Sequence, residues 1–428
     1  MILALLTLLT ISTQASANDF ELDVISYHLT IEPKIEERYI SGTVIIRFHI
    51  NRNADSVVMN AGNLNIDQVV GESVIGFKKR GDDLVIKLSE REKETNILTI
   101  DYHGNPTRGL LFDGDLGQAY TLYATSQWMI CNDSPGDKAL FHLDICIPDD
   151  KTCIASGELV SKVSKNGNTQ YSYQQNYASP AYTYGFAIGD YNKAKEKVGE
   201  VWLKYYAQDY SSEELMAIFR ETPTMISFFE EKTGVKYDQS TYSQLLIGNH
   251  YQEMSGYSLL KDTYGKLVLQ DSTETNLISH ELAHQWWGNR VTCKSWNHFW
   301  LNEGMATFMS AAYNEYRFGK HVYLANIDSY FKIYEAIKTR GNDKSLVFED
   351  WSNPSKDDRN LVYFKGAYVF HLLREKLGDE LFWDAIKLYT TRYFGKSVVT
   401  DDLQKAIEES SGVDLQEFFN EWVYESKR

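Results

Sequence analysis

The sequence predicts an α+β protein in which an N-terminal antiparallel β-sheet domain is followed by a mainly helical domain. From residue 18 to about 195, segments such as SYHLTIE, GTVIIRFHI and DLVIKLSE carry clustered or alternating β-branched residues between turn signals, as strands do. After about residue 201, apolar residues recur at helical spacing. A chain of 428 residues is also too long for one small core. We therefore expect two domains, 18–195 and 196–428.

The elements follow this order along the chain. GNP at 104–106 and NGN at 166–168 are turn signals between predicted strands, and YTYGFAIGDYNKAKEKVGE closes the β-rich region. Residues 213–234 show helical spacing and end in glycine, and the β-like stretches YSQLLIG and GYSLL come next. From Thr275 onward helices dominate, and VYFKGAYVFHLLREKLG and TDDLQKAIEESSG both end in glycine, as helices often do.

The first 17 residues have the composition of a secretory signal peptide. An apolar run, Ile2–Ile11, precedes the A-x-A cleavage signal at residues 15–17, although no Lys or Arg precedes the run. No later stretch reaches the ~18 apolar residues that a membrane helix needs. The sequence thus predicts a mature protein that begins near Asn18, has no membrane anchor and is secreted or periplasmic.

Charge and cysteine content narrow the possible functions. The formal net charge is -16 and is spread along the chain, so we expect no nucleic-acid partner. The four cysteines are Cys131, Cys146, Cys153 and Cys293. Cys146 and Cys153 flank IPDDKT and could close a small loop, and free buried thiols fit the sequence equally well.

The segment HELAHQWWGN, residues 280–289, carries the clearest chemical signal. His280 and His284 are four residues apart, so both imidazoles project from one face of a helix and suit a Zn²⁺ ion with one open position. Glu281 lies beside such an ion rather than bonded to it. We expect Glu281 to act as a general base that takes a proton from the attacking water.

A third ligand follows in WLNEGMATF. Glu303 comes after His284 with 18 residues between them, which leaves room for a turn and a return on an antiparallel helix. Its carboxylate would then meet the two imidazoles in a site of two histidines and one carboxylate. The sequence predicts one Zn²⁺ per chain, held by His280, His284 and Glu303.

HELAHQWWGNRVT followed by WLNEGMATF resembles the zinc aminopeptidases of the membrane-alanyl-aminopeptidase and leukotriene-epoxide-hydrolase family. The resemblance covers nearly the whole mature chain and implies peptide substrates and a thermolysin-like catalytic domain. It also implies a short form that ends after that domain. VYFKGAYVFHLL resembles the family's tyrosine motif, which makes Tyr363 the residue that hydrogen-bonds the tetrahedral oxyanion. A phenol is protonated at neutral pH and can donate such a bond.

The chain departs from the family where the substrate's free amine is bound. The family's G-x-M-E-N stretch corresponds to HYQEMSGYSLL, and alignment on Met254 puts Ser255 where the amine-binding glutamate should be. Serine cannot supply that negative charge. Glu253 precedes Ser255 by two residues, and on a strand both side chains would share one face, so Glu253 could supply the carboxylate. Met254 and Ser255 remain candidates for substrate contact.

A second amine contact in the family comes from a Gln or Glu of the β domain. SQWMICNDSP, residues 126–135, resembles that region, and Gln127 is the candidate. Its amide oxygen can accept from an ammonium group, although more weakly than a carboxylate.

Three functions remain open at this stage. The first is a secreted zinc aminopeptidase. The second is a zinc endopeptidase or a peptidase of relaxed specificity, if neither Glu253 nor Gln127 holds the amine; an epoxide-hydrolase side activity rests on family analogy alone. The third is a catalytically silent binding protein, which loss of a zinc ligand or of the base would favour. All of those residues are present in this chain.

Overall fold

The computed structural model describes residues 22–50, 54–89, 95–349, 351 and 353–426 of the chain. The predicted signal peptide, residues 1–17, lies outside this part. Among the helices described, none is both long and apolar enough to cross a membrane. The predicted fold class is confirmed, because a β-sheet domain precedes a mainly helical domain.

Fifteen strands precede residue 190 in the described part of the chain. They are β1 Leu22–Lys34, β2 Tyr39–Ile50, β3 Ser56–Asn60, β4 Asn65–Val70, β5 Val74–Arg80, β6 Asp83–Leu88, β7 Thr95–Gly104, β8 Leu110–Asp113, β9 Gln118–Thr121, β10 Lys138–Pro148, β11 Thr152–Ala155, β12 Glu158–Lys165, β13 Asn168–Gln174, β14 Ser179–Pro180 and β15 Phe186–Gly189. Two short 3₁₀ turns, Thr125–Gln127 and Ala181–Thr183, lie between them.

These strands form three sheets. The largest has the order β12-β13-β10-β1-β2-β7-β4, with β14 also paired to β10; the others have the orders β11-β15-β9-β8 and β3-β6-β5. The pairing differs from the antiparallel prediction at one place, because β1 and β10 run parallel. Such a pair needs a long crossover between its strands, and here the connection spans β2 to β9.

The remaining elements alternate strands with helices and then become helical. The strands are β16 Asn192–Val198, β17 Val201–Ala207, β18 Thr241–Leu246, β19 Gln252–Met254, β20 Tyr257–Leu260, β21 Thr292–Cys293 and β22 Ser397–Val398. The helices are α1 Ser212–Ile218, α2 Thr222–Thr233, α3 Tyr264–Gln270, α4 Asn276–Ala283, α5 Trp300–Phe318, α6 Lys320–Thr339, α7 Lys356–Asn360, α8 Gly366–Leu377, α9 Asp379–Tyr393, α10 Thr400–Ser411 and α11 Gln416–Phe419. A 3₁₀ turn, Trp296–His298, and two π-helical turns, Leu361–Lys365 and Asn420–Tyr424, complete the set.

A five-stranded sheet with the order β16-β17-β18-β20-β19 opens the second domain. Strand β16 pairs along its whole length with β17 and therefore belongs to this sheet. The predicted boundary after Lys195 falls inside β16, and the pairing favours a boundary at residues 190–191.

The helix predicted over residues 213–234 is two helices, α1 and α2. Phe219 ends α1, and α2 begins with Pro223 in its first turn. Proline has no backbone N–H and disfavours a helical residue before it, so it fits a new helix start better than a helix interior. Gly234 ends α2 in the left-handed conformation, with φ of 69°.

A hydrophobic interface joins the two domains. The interdomain cluster consists of Tyr120, Leu122, Ile154, Ala187 and Tyr191 from the first domain and Leu245, Ile247, Met254, Tyr257 and Leu259 from the second. Because all of these side chains are buried, the small sheet of the first domain packs directly against the sheet of the second. This packing brings the first domain to the edge strand β19.

All four cysteines are free thiols. Cys146 lies on β10 and Cys153 on β11, which belong to different sheets, so the small disulfide loop is absent. Cys131, Cys153 and Cys293 are buried, as small apolar side chains often are.

Helices α5 and α8 approach each other at two glycines. A Cβ atom added at Gly304 would lie 2.9 Å from backbone atoms of Gly366, and one added at Gly366 would lie 2.9 Å from the Cα of Gly304. The backbones can therefore meet only because neither residue has a side chain. This contact presses the π-helical turn Leu361–Lys365 against the first turn of α5.

We expect Gly304→Ala to lower the free energy of unfolding by about 1–3 kcal/mol, because the added methyl group must push two backbones apart. Urea unfolding monitored by circular dichroism measures the change. Gly76→Ala is the matched control, since a Cβ there meets nothing within 4 Å. Equal stability of the two variants would contradict a close contact between α5 and α8.

Candidate metal centre

Helix α4 carries the two histidines of the predicted metal site. His280 lies in its last turn and His284 caps its C-terminal end, and their Nε2 atoms are 3.1 Å apart. The Nδ1 atom of His284 lies 2.9 Å from the backbone oxygen of Trp287. A proton on Nδ1 satisfies this bond and leaves the Nε2 lone pair available for a metal.

Glu303 reaches the histidines from the antiparallel helix α5. The side chain of Thr275 bonds to Asn314, and that of Ser279 bonds to Ser310. This register brings the start of α5 to the end of α4. The Oε2 atom of Glu303 consequently lies 3.3 Å from Nε2 of His280 and 3.4 Å from Nε2 of His284.

The three side chains fit a tetrahedral divalent ion. Ligand atoms at about 2.0–2.1 Å from a tetrahedral Zn²⁺ are separated by about 3.3–3.4 Å from one another. The three observed separations, from 3.1 to 3.4 Å, are close to that value. Two imidazoles and one carboxylate are also a donor set that zinc accepts in catalytic sites, where a fourth position stays open.

Unpaired carboxylate oxygens surround this centre. In the described part of the chain, Oε1 of Glu253 and Oε2 of Glu281 are buried and have no hydrogen-bond partner. Burial of an ionised carboxylate is unfavourable unless a cation or a donor compensates it. The arrangement therefore fits a bound cation.

The pKa values of the predicted metal ligands depend on the charges of their neighbours. Burial opposes ionisation of Glu303, but the neighbouring imidazoles lower its pKa to about 2. Burial likewise opposes the charged form of His284, but Glu303 and Glu253 raise its pKa to about 10. The side chains thus stabilise positive charge at the centre of the site.

Glu281 faces the same cavity as the metal ligands without joining them. The cavity has a volume of about 600 Å³ and is lined by Glu281, all three predicted ligands and Glu253. Burial, reinforced by the neighbouring carboxylates, raises the pKa of Glu281 well above its ordinary value. A raised pKa makes a carboxylate a stronger base, which suits proton transfer.

Tyr363 lies in the π-helical turn that precedes α8. Its ring stacks on that of His280, with centroids 5.8 Å apart, and it lines the cavity. Burial raises the pKa of its phenol well above 10, so the group stays protonated and can donate a hydrogen bond. Inside a helix a π-helical turn often marks a functional site, and here it brings this tyrosine beside a ligand.

Glu253 lies on β19 at the wall of the cavity. One carboxylate oxygen, Oε2, accepts a hydrogen bond of 2.9 Å from the Gln252 amide, and the other has no partner among the described residues. Burial raises the pKa of Glu253 to about 7. Glu253, Glu281 and His284 also each offer an atom within 4.8 Å of the others. The second carboxylate oxygen is therefore available to a cationic group in the cavity.

The other three predicted substrate contacts lie elsewhere. Strand β19 ends at Met254, so Ser255 does not share the face of Glu253, and its hydroxyl bonds to Tyr177. Met254 is buried in the interdomain cluster. Gln127 lines a separate cavity with residues of both domains, among them Asn132 and Trp296, and does not line the metal cavity.

Two cavity residues carry no signal in the sequence. Tyr123, from the first domain, donates a hydrogen bond from its phenol to the backbone oxygen of Tyr251 and one from its backbone N–H to Gln252. Arg359, from α7, also lines the cavity. Only the packing of the two domains and of α7 brings them to the site, so no local pattern could identify them.

The residues that flank the histidine and glutamate motifs hold the site together. Gln285 accepts from the backbone N–H of Gly256 and donates to the backbone oxygen of Met254, which fixes β19 to the end of α4. Asn302 accepts from the backbone N–H of Cys293 and donates to Tyr182 of the first domain. These contacts give a structural role to residues of QWWGN and WLNEG that are not themselves metal ligands.

Comparisons with known protein families match both domains. The model described as Peptidase M1 N-terminal domain matches residues 24–183, and that described as Peptidase family M1 domain matches residues 218–422. Together they match most of the chain.

Curated relatives are distant and longer. The chain is similar to "Probable aminopeptidase 2" of Sulfurisphaera tokodaii, with 23% identity over 87% of this chain and 51% of the relative. It is also similar to "Aminopeptidase M1" of Arabidopsis thaliana, with 23% identity over 93% of this chain and 49% of the relative. The chain thus spans about half the length of these relatives.

Solved structures share the whole fold. The M1 zinc metallopeptidase from Deinococcus radiodurans is 22% identical, with a TM-score of 0.80 over 95% of this chain and 94% of that one. A mutant M1 zinc metallopeptidase from the same organism, solved with a Tyr-Ser-Ala substrate, gives a TM-score of 0.81 at 22% identity, over 95% of both chains. At this identity the likeness concerns the fold.

Substitution of one ligand tests the metal centre. We expect His284→Ala to weaken Zn²⁺ binding by more than about 100-fold. Loss of a residue that only hydrogen-bonds to a ligand typically weakens metal binding by about 10–100-fold, and loss of the ligand itself should have a larger effect. Elemental analysis after dialysis against a weak chelator measures the zinc that is retained. His321→Ala, which changes an exposed histidine on α6, is the control. Wild-type zinc content in His284→Ala would rule out this ligand set.

Proposed function

The chain belongs to peptidase family M1, the zinc aminopeptidase family that its motifs resemble, and we propose that it removes N-terminal residues from peptides. One observation carries this proposal: a single cavity is lined by the three predicted metal ligands, by Glu281 with its unpaired carboxylate oxygen and by Tyr363. Because the matched relatives are about twice as long, their activity and substrates are offered here as a proposal for this chain.

His280, His284 and Glu303 would hold one Zn²⁺ per chain. When bound, this ion supplies Lewis acidity, which polarises the scissile carbonyl and makes water easier to deprotonate. Glu281 takes a proton from the water that attacks the carbonyl carbon. It then gives that proton to the nitrogen of the leaving amine, so its raised pKa serves both steps.

Tyr363 stabilises the transition state in this proposal. Negative charge grows on the carbonyl oxygen as the tetrahedral species forms, and a fixed O–H donor interacts more strongly with that charge than with the neutral carbonyl. The stacking of Tyr363 on His280 and the tight contact behind its turn limit the motion of the phenol. Such restriction keeps the donor oriented before the reaction.

Glu253 binds the free α-amine of the substrate in this proposal. Its unpaired oxygen is buried in the cavity wall, and this burial raises its pKa to about 7. An ammonium group would pair with it and recover the cost of burying the charge. The alternative, an endopeptidase or a peptidase of relaxed specificity, applies if this pairing contributes nothing to substrate binding.

We also propose that the protein is exported, as a secreted or periplasmic enzyme. The support is the composition of residues 1–17, an apolar run before an A-x-A cleavage signal. N-terminal sequencing of the exported protein tests this, with Asn18 expected as the first residue.

Two substitutions test the chemistry. We expect Glu281→Gln to lower kcat by about 10²–10⁴-fold, because the proton acceptor is lost. We expect Tyr363→Phe to lower kcat by about 10²–10³-fold with little change in KM, because the donor acts mainly in the transition state. Steady-state kinetics on an amino-acid 4-nitroanilide measures both.

Both variants should keep the zinc content of the wild type, which separates lost chemistry from lost metal. Tyr316→Phe, which removes an exposed phenol from α5, is the matched control and should leave kcat unchanged. If Glu281→Gln hydrolyses the substrate at the wild-type rate, the proposed mechanism is wrong.

The amine contact has its own test. We expect Glu253→Gln to lower kcat/KM by about 10–100-fold on the free-amine anilide, as loss of a charged hydrogen bond predicts. The N-acetylated anilide should be a poor substrate for both proteins. Ser255→Ala is the control, because its hydroxyl faces Tyr177. Equal wild-type rates on the free and acetylated substrates would reject an aminopeptidase and favour the endopeptidase alternative.

A further inference from the structure

The outer face of the largest sheet carries two histidines that lie side by side. His28 of β1 is in register with His142 of β10, and their ring centroids are 4.2 Å apart. Asp144 follows His142 by two residues and therefore shares its face of the strand. The neighbours Leu29 and Leu143 are fully buried, so strand alternation directs all three polar side chains outward.

The ligand atoms of these residues are already close together. Nε2 of His28 lies 2.8 Å from Oδ2 of Asp144, and Nε2 of His142 lies 3.4 Å from Oδ1. Each side chain offers one such atom within 4.8 Å of the other two. The two measured separations, 2.8 and 3.4 Å, are close to the roughly 3.3 Å between ligands of one tetrahedral ion.

The carboxylate has an orienting partner, and the site is open to solvent. Ser172, opposite Asp144 on β13, donates a hydrogen bond of 2.5 Å to Oδ1. Such outer partners fix a ligand's direction and strengthen metal binding. The Asp144 side chain is 17% exposed, whereas His28 and His142 are 45% and 32% exposed. An ion can therefore enter from solvent and complete its coordination with water.

We propose that His28, His142 and Asp144 form a second metal site, for a divalent transition ion such as Zn²⁺. Neutral imidazoles bind Zn²⁺, Co²⁺, Ni²⁺ and Cu²⁺, whereas Mg²⁺ and Ca²⁺ prefer oxygen ligands alone. Each imidazole binds through Nε2 with its proton on Nδ1, so the His28–Asp144 hydrogen bond is exchanged for two bonds to the ion. The site lies in the first domain and shares no residue with the metal cavity of the second.

An ion at this site would join two distant parts of the chain. His28 and Asp144 are 116 residues apart in sequence, and their strands form the parallel pair of this sheet. Parallel pairing is slightly less stable than antiparallel pairing. Because the folded state brings the three ligands together, the ion should bind it in preference to the unfolded chain and raise its melting temperature.

Calorimetric titration with Zn²⁺ tests the site. The zinc-loaded enzyme is first dialysed free of loosely bound metal and then titrated as wild type, His28→Asn, His142→Asn and His103→Ala. The control His103 makes a similar 2.8 Å contact with Asp67 on the same sheet, but among the described residues no third metal ligand joins that pair. Tm is measured with and without added Zn²⁺.

We expect the wild type and His103→Ala to bind one further Zn²⁺ per chain, with a rise in Tm. We expect His28→Asn and His142→Asn to bind it at least about 10-fold more weakly, with a smaller rise. Their peptidase activity without added Zn²⁺ should equal that of the wild type, which separates this inference from the proposed function. If the two variants bind Zn²⁺ as the wild type does, or if the wild type binds no further ion in large excess of Zn²⁺, the inference is wrong.

Discussion

The burial of three carboxylates at the centre of the second domain is the constraint on which the rest of the structure depends. Three glutamates, Glu253, Glu281 and Glu303, are buried around two imidazoles. Glu303 contacts both rings, whereas Glu253 and Glu281 each present an oxygen without a hydrogen-bond partner in the described structure. Such burial costs several kcal/mol per ion unless positive charge compensates it. A divalent metal and a substrate ammonium would together supply that charge, so the burial of these carboxylates favours both cationic ligands.

The fold keeps these groups in place through contacts between backbones. Helices α4 and α5 run antiparallel in a register fixed by side-chain hydrogen bonds, and the contact between Gly304 and Gly366 presses the turn of Tyr363 against the ligand helix. Gln285 fastens β19 to the end of α4. The first domain contributes as well, because Tyr123 forms part of the cavity wall. A reacting group displaced by an ångström loses much of its effect, so this rigidity is part of the catalytic design.

How far the sequence predicts the site depends on how local each relationship is. His280, His284 and Glu281 share one helix, so residue spacing alone determines their geometry, and the spacing to Glu303 left room for the antiparallel return that α5 makes. Assignment of the amine contact is harder, because β19 has three residues and turns at Gly256, with φ of 83°. If the family motif is aligned there with a shift of one or two residues, the position that lines the cavity is assigned to a residue of the interdomain cluster instead. Gln127, Tyr123 and the parallel pairing of β1 with β10 depend on long-range packing that no local pattern encodes.

The central claim is that His280, His284 and Glu303 converge on one ion. A crystal structure with anomalous diffraction recorded on both sides of the zinc absorption edge tests it directly, since the signal identifies the element and its position together. The account predicts a zinc peak about 2.0–2.2 Å from both Nε2 atoms and from a carboxylate oxygen of Glu303. Zinc-replete crystals without a peak between these three side chains would contradict it.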